Sequence, residues 1–126
     1  MDSLTIQHTD ETPSVTLDKA KGIFRIADNS YPDDARKFFA PVLAWIEKYF
    51  EEPNPETVFE FALSYFNTSS AKIITKILNI LKENNTKTAV KVRWCYEADD
   101  TDMQKSGVRY QQLSGVDFEF VEIESV

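Results

Sequence analysis

Glu56-Thr57-Val58-Phe59-Glu60-Phe61-Ala62-Leu63-Ser64-Tyr65-Phe66-Asn67-Thr68-Ser69-Ser70-Ala71-Lys72 changes its period partway along, and that change decides the fold. Phe59, Phe61, Leu63 and Tyr65 alternate with Glu60, Ala62 and Ser64, the two-residue repeat of a half-buried strand. After Asn67 the repeat lengthens. Ile74, Ile77, Leu78 and Leu81 form a helical stripe widened by Ile73 and Ile80, with Lys72, Lys76, Asn79 and Lys82 largely outside it. The spacing predicts a helix from about Ser69 to Glu83.

The same reading extends in both directions. Val15 to Leu17 and Ile23 to Ile26 are strand-like runs joined by Asp18-Lys19-Ala20-Lys21-Gly22, a polar connection ending in glycine, which predicts an antiparallel hairpin. Asn29 or Ser30 as cap, Pro32 in the first turn, and Asp33 and Asp34 at the positive end predict a helix that runs to about Phe50. Its apolar face is wide: Phe38, Val42, Trp45 and Tyr49 recur at helical spacing, and Phe39, Leu43, Ile46 and Phe50 repeat it one position on. Pro41 lacks an amide hydrogen and disfavours helical geometry at Ala40, so a kink or short break is expected there.

Downstream, Val90, Val92, Trp94 and Tyr96 alternate with Lys91, Arg93 and Cys95, and Phe118 and Phe120 mark a last strand. Between them Met103, Gly107, Tyr110 and Leu113 trace a third helix, opened by Asp99, Asp100 and Asp102 and ended near Gly115. The predicted order is β-β-α-β-α-β-α-β in a single α/β domain spanning residues 1–126, with residues 1–11 a loose N-terminal segment. Strands separated by helices pair in parallel through crossovers, and the initial hairpin adds an antiparallel edge, so the sheet is mixed. Polar residues on one strand face place the helices mainly on the other.

The turn Asn67-Thr68-Ser69-Ser70 is the candidate site of chemistry. Three consecutive hydroxyls at a helix start meet free N–H groups that favour an anion, and phosphorylation would create one there. The plainer reading is that Thr68, Ser69 or Ser70 caps the helix, with Ser69 and Ser70 the better placed to do so.

Composition narrows the function classes. A chain of 126 residues is long enough for one core of its own. Acidic residues outnumber basic ones 21 to 14, and the basic ones are scattered, which argues against nucleic-acid or anionic-membrane partners and for protein partners. The lone Cys95 reads as a small buried hydrophobe. With no long apolar stretch and no basic-then-apolar leader, a cytoplasmic location is expected.

Enzyme signatures are missing from the sequence. Its three glycines are not grouped into a phosphate loop, and the single histidine, His8, lies in the N-terminal segment away from any nucleophile. Glu97, Asp99, Asp100 and Asp102 are closely spaced carboxylates of the kind a hard cation needs, but capping and the helix dipole explain them more simply. The expectation is therefore no metal, no cofactor and no catalysis.

Four ordered motifs carry a resemblance: Ser30-Tyr31-Pro32, Phe38-Phe39-Ala40-Pro41 with Trp45, Asn67-Thr68-Ser69-Ser70, and Trp94-Cys95-Tyr96. Together, from about Thr12 to Phe120, they resemble the SiaC family of bacterial regulatory phosphoproteins. The element order is also similar to anti-sigma-factor antagonists of the STAS class, which place their acceptor on the same turn. The SiaC pattern implies Thr68 as acceptor, the STAS pattern Ser69. Asn67, Ser69, Ser70, Lys72 and Tyr31 are expected to border the partner surface.

The resemblance further implies a circuit. A dedicated protein kinase adds the phosphate, a PP2C-type protein phosphatase removes it, and the unmodified protein binds and stimulates a diguanylate cyclase in cyclic di-GMP signalling. Two rival readings remain open on the sequence: an adaptor whose hydroxyls only cap the helix, and a small enzyme built on the carboxylates of Asp33, Asp34 or Asp99 to Asp102. The first predicts no phosphate incorporation, the second a deep polar pocket away from Thr68.

Overall fold

The computed structural model describes residues 1–124. Its elements run β1 (Leu4–Ile6), β2 (Ser14–Asp18), β3 (Ile23–Ser30), α1 (Ala35–Tyr49), β4 (Glu56–Phe66), α2 (Thr68–Glu83), β5 (Ala89–Glu97), α3 (Thr101–Ser114) and β6 (Phe118–Ile123). Strand order in the one sheet follows the chain, β1 to β6. β2 pairs antiparallel with both β1 and β3, and β3 to β6 are parallel, each parallel pair spanned by a helix. The expected mixed α/β domain is found, with one strand more than anticipated.

That extra strand corrects the reading of residues 1–11 as loose. Leu4 and Ile6 are half-buried and pair with Leu17 and Val15, and the Trp45 indole N–H donates to the Asp2 carbonyl at 2.8 Å. Three residues are too few for their alternation to register as a strand pattern; pairing to β2 and packing on the core hold them.

The sheet has one covered and one open face. Val15, Leu17, Phe24, Ile26, Phe59, Phe61, Val92 and Trp94 point towards the helices, which contribute Phe39, Val42 and Ile46 from α1 and Ile74, Ile77, Leu78 and Leu81 from α2. The residues between them on each strand face the other way: Thr16, Arg25, Glu60, Arg93 and Glu119 form one row across the sheet. This is the period-2 partition that a half-buried strand requires.

Buried hydroxyls close a small network below β4. Tyr49 Oη lies 2.7 Å from Thr57 Oγ1, which lies 2.9 Å from Thr88 Oγ1, and the Asn54 N–H donates to Tyr49 Oη at 3.0 Å. Burial without such partners would cost about 1–3 kcal/mol per group.

Two expectations for α1 change. The cap is Asp34, whose carboxylate accepts from the Lys37 N–H at 3.1 Å, so Pro32 precedes the helix while Asn29 and Ser30 belong to β3. Nor does Pro41 break the helix, which continues to Tyr49. Pro41 and Lys37 are exposed, so the carbonyl left without its donor faces water.

Candidate functional site

The carboxyl ends of β3 and β4 place the candidate site. Asp28, with φ +73°, adopts the left-handed region, where the pairing of β3 with β4 shifts by one residue: Asp28 opposes Leu63, but Asn29 opposes Tyr65. Ser64 is the extra residue of a bulge. The bulge inverts the facing pattern beyond it, so Tyr65 turns outward, 54% exposed, and Phe66 turns in against Trp94 and Tyr110. Uninterrupted alternation puts Tyr65 with the core residues Phe59, Phe61 and Leu63; the bulge corrects that, and no residue in the sequence announces it.

Tyr65 consequently meets Tyr31. Their rings pack edge to face with centroids 5.7 Å apart, and both remain partly open to solvent. Tyr31 therefore stands beside the hydroxyl turn, and Tyr65 is the neighbour that sequence reasoning missed. The two strand ends are tied by the Asn67 N–H, which donates to the Ser30 carbonyl at 3.0 Å.

The four residues of the turn divide the work. Asn67 is the cap: its side-chain oxygen accepts from the Ser70 N–H at 2.9 Å, and its carbonyl accepts the first helical bond from the Ala71 N–H. This replaces the expectation that Thr68, Ser69 or Ser70 caps α2. Ser70 is 1% exposed, with its hydroxyl 2.7 Å from Ser30 Oγ. Thr68 and Ser69 begin the helix exposed, and neither hydroxyl has a hydrogen-bond partner among the described residues. Ser30-Tyr31-Pro32 and Asn67-Thr68-Ser69-Ser70, far apart in sequence, are thus one structural unit.

A cleft of about 480 Å³ adjoins this unit between the starts of α1 and α2. Asp33, Asp34 and Arg36 line one wall, and Ser69, Lys72, Ile73 and Lys76 the other. Lys72, one turn beyond Thr68, brings a cation to the same end of the helix. The acidic residues of α3 lie elsewhere. There Asp100 caps the helix, its carboxylate accepting from the Met103 N–H at 3.0 Å, which is the simpler of the two roles weighed for that cluster.

Cys95 is buried in β5, and burial pushes its thiol above the ordinary value, assisted by the Glu60 carboxylate against the opposing pull of Arg93 and Arg25. A thiol so placed stays protonated and behaves as a small apolar group. Among the described residues no helix is long and apolar enough to cross a membrane.

A one-sided mixed sheet with an exposed hydroxyl pair opening its second helix defines a small α/β domain. The chain belongs to the SiaC family of regulatory phosphoproteins, whose family model matches residues 6–123. A protein of Pseudomonas aeruginosa strain UCBPP-PA14, itself uncharacterised, is 31% identical over 98 residues, covering 77% of this chain and 78% of that one. The crystal structure of apo-SiaC from Pseudomonas aeruginosa superimposes with a TM-score of 0.87 at 26% identity, over 96% of this chain and 99% of the other. A second crystal structure, of the diguanylate cyclase SiaD in complex with its activator SiaC from the same organism, matches with a TM-score of 0.89 at 25% identity, over 95% and 99% of the two chains.

Proposed function

We propose that the protein is a non-enzymatic switch whose state is phosphorylation of Thr68, and that its unmodified form binds and stimulates a diguanylate cyclase. A protein kinase writes the phosphate and a PP2C-type phosphatase erases it. One observation carries the choice of residue: Thr68 is exposed with an uncommitted hydroxyl, while Asn67 caps the helix and Ser70 is buried against Ser30. Modification of Thr68 therefore disturbs no existing hydrogen bond. Ser69 shares the exposure, and the SiaC motif favours Thr68.

The chemistry of the switch follows from charge. A phosphate brings nearly two negative charges to the positive end of α2, within a turn of Lys72, where the fold tolerates them. The same charges, beside the Tyr31–Tyr65 pair, repel or block a surface that docks on the neutral turn. Partner affinity changes and the fold does not. Family membership and the solved complex of SiaC with SiaD support the cyclase as target.

The test is a kinase assay with mass-spectrometric site mapping, followed by pull-down and cyclase assays on Thr68→Ala and Thr68→Asp variants. Phosphate on Thr68, full binding by the Ala variant and weakened binding by the Asp variant are expected. Phosphate on Ser69 would move the switch one residue; no modification and equal binding would reduce the turn to a helix start.

A further inference from the structure

The open face of the sheet carries charges of alternating sign in one register row. Arg25 on β3, Glu60 on β4, Arg93 on β5 and Glu119 on β6 are successive Cα partners. Arg25 Nε lies 2.6 Å from Glu60 Oε2, and Arg93 Nε lies 3.6 Å from Glu60 and 3.3 Å from Glu119. Arg93 Nε is shielded from solvent, yet neither carboxylate is aligned to accept from it, and it has no hydrogen-bond partner among the described residues. The Arg93 side chain is otherwise 42% exposed, and this one shielded N–H gains from a further acceptor.

One row towards the carboxyl ends of the strands, the same face is small and apolar, with Ala27 and Ala62 paired and Cys95 paired to Val121. One row the other way stand Ile23 and Val58, both exposed, with Lys91 beside Val58. Among the described residues no helix covers this side.

We infer that this face is the interface of a two-fold dimer formed by a second copy of the chain. Two sheets laid face to face are related by a two-fold axis in the plane between them. With the axis along the strands and between β4 and β5, β3 lies over β6 of the other copy and β4 over β5. Arg25 then opposes Glu119, and Glu60 opposes Arg93, at all four positions with opposite sign. With the axis across the strands each charge would instead oppose its own copy, which is repulsive throughout.

The chosen axis also sets the small apolar row on its equivalent, where short side chains let two sheets approach, and brings a second Glu60 over the unsatisfied Arg93. The four strands that overlap, β3 to β6, by about six residues project to roughly 400 Å², about half of the ~800 Å² of accessible surface that each partner contributes to a standard interface, so the dimer is a weak one. Because that axis preserves strand direction, both Thr68 turns emerge at the same end of the dimer and stay free, opposite the buried face.

Analytical ultracentrifugation over a concentration series, with circular dichroism to confirm folding, tests the inference. Wild type is expected to show a monomer–dimer equilibrium. Glu60→Arg alone sets two guanidinium groups against each other at each crossing of β4 over β5, and Arg93→Glu alone sets two carboxylates there. Each variant should therefore dimerise at least tenfold more weakly. Mixed in equal amounts, the two variants have fully complementary rows and should recover a heterodimer. A wild type that stays monomeric up to about millimolar concentration, a dimer indifferent to either substitution, or a folded mixture without heterodimer overturns the inference. None of these outcomes bears on the Thr68 switch, which is tested by phosphate mapping.

Discussion

Ser30 Oγ and Ser70 Oγ lie 2.7 Å apart in a buried hydrogen bond that joins the last residue of β3 to the first turn of α2. Neither hydroxyl is free for modification, and each depends on the other for its partner. Ser70→Ala leaves the Ser30 hydroxyl buried and unpaired and is expected to cost about 1–3 kcal/mol, whereas the double replacement by Ala should cost less than the sum of the single ones. Urea unfolding of the three variants measures this. Additive losses would mean that the two hydroxyls do not depend on each other.

Asn67 and Thr68, adjacent at the start of α2, should separate stability from signalling. Asn67→Ala removes the oxygen that accepts from the Ser70 N–H and is expected to cost roughly 1 kcal/mol. Thr68→Ala touches no hydrogen bond and should stay within about 0.5 kcal/mol of wild type while abolishing phosphate uptake. Thermal melts and a kinase assay on both variants check the pair; a large loss of stability in Thr68→Ala would give that hydroxyl a structural role.

At Gly107, α3 packs closely on Trp94 and Phe120 of the sheet. A Cβ added there would sit 2.4 Å from Trp94 Cδ1 and 2.8 Å from Phe120 Cε1, and the indole cannot swing away without losing the bond from its N–H to the Met103 carbonyl, 2.9 Å. Gly107→Ala is therefore expected to destabilise by about 1–3 kcal/mol through overpacking, despite the higher helix propensity of alanine. Denaturant unfolding followed by tryptophan fluorescence reports both the loss and the displacement of Trp94.

Cys95 should be slow to react in the folded protein. Its pKa is raised above the ordinary 9.0, first by burial and then by Glu60, so the thiolate is scarce at neutral pH. The sign of the linkage follows: the folded state holds this proton more tightly than the unfolded chain, so its contribution to stability is complete below pH 9.0 and declines as pH rises above it. Thiol labelling at about neutral pH with and without denaturant should show strong protection, and labelling at the same rate in both would place Cys95 outside the core.

The strand and helix periods, the hairpin, the one-sided helix layer and the four motifs were legible because each is a local pattern of apolar and polar residues. The candidate turn was legible for the same reason, since three hydroxyls between two periods stand out in any context. Leu4–Ile6 was not, because three residues have no period of their own and pair only when β2 is already in place. Asp34 rather than Ser30 begins α1 for a related reason: both are good caps, and pairing of β3 with β4 claims Ser30 first.

By itself the sequence determined which segments alternate and which wind, and hence the mixed α/β architecture. Tertiary structure decided the roles within the site. Asn67, Thr68, Ser69 and Ser70 can all cap a helix, so local chemistry cannot rank them. Ser70 is withdrawn by a hydroxyl 40 positions away, Asn67 is fixed by its bond to the Ser30 carbonyl, and Tyr65 is turned outward by a bulge. Thr68 and Ser69 stay exposed because the neighbours that commit Asn67 and Ser70 come from β3, and residues that distant in the chain meet only once the sheet has formed.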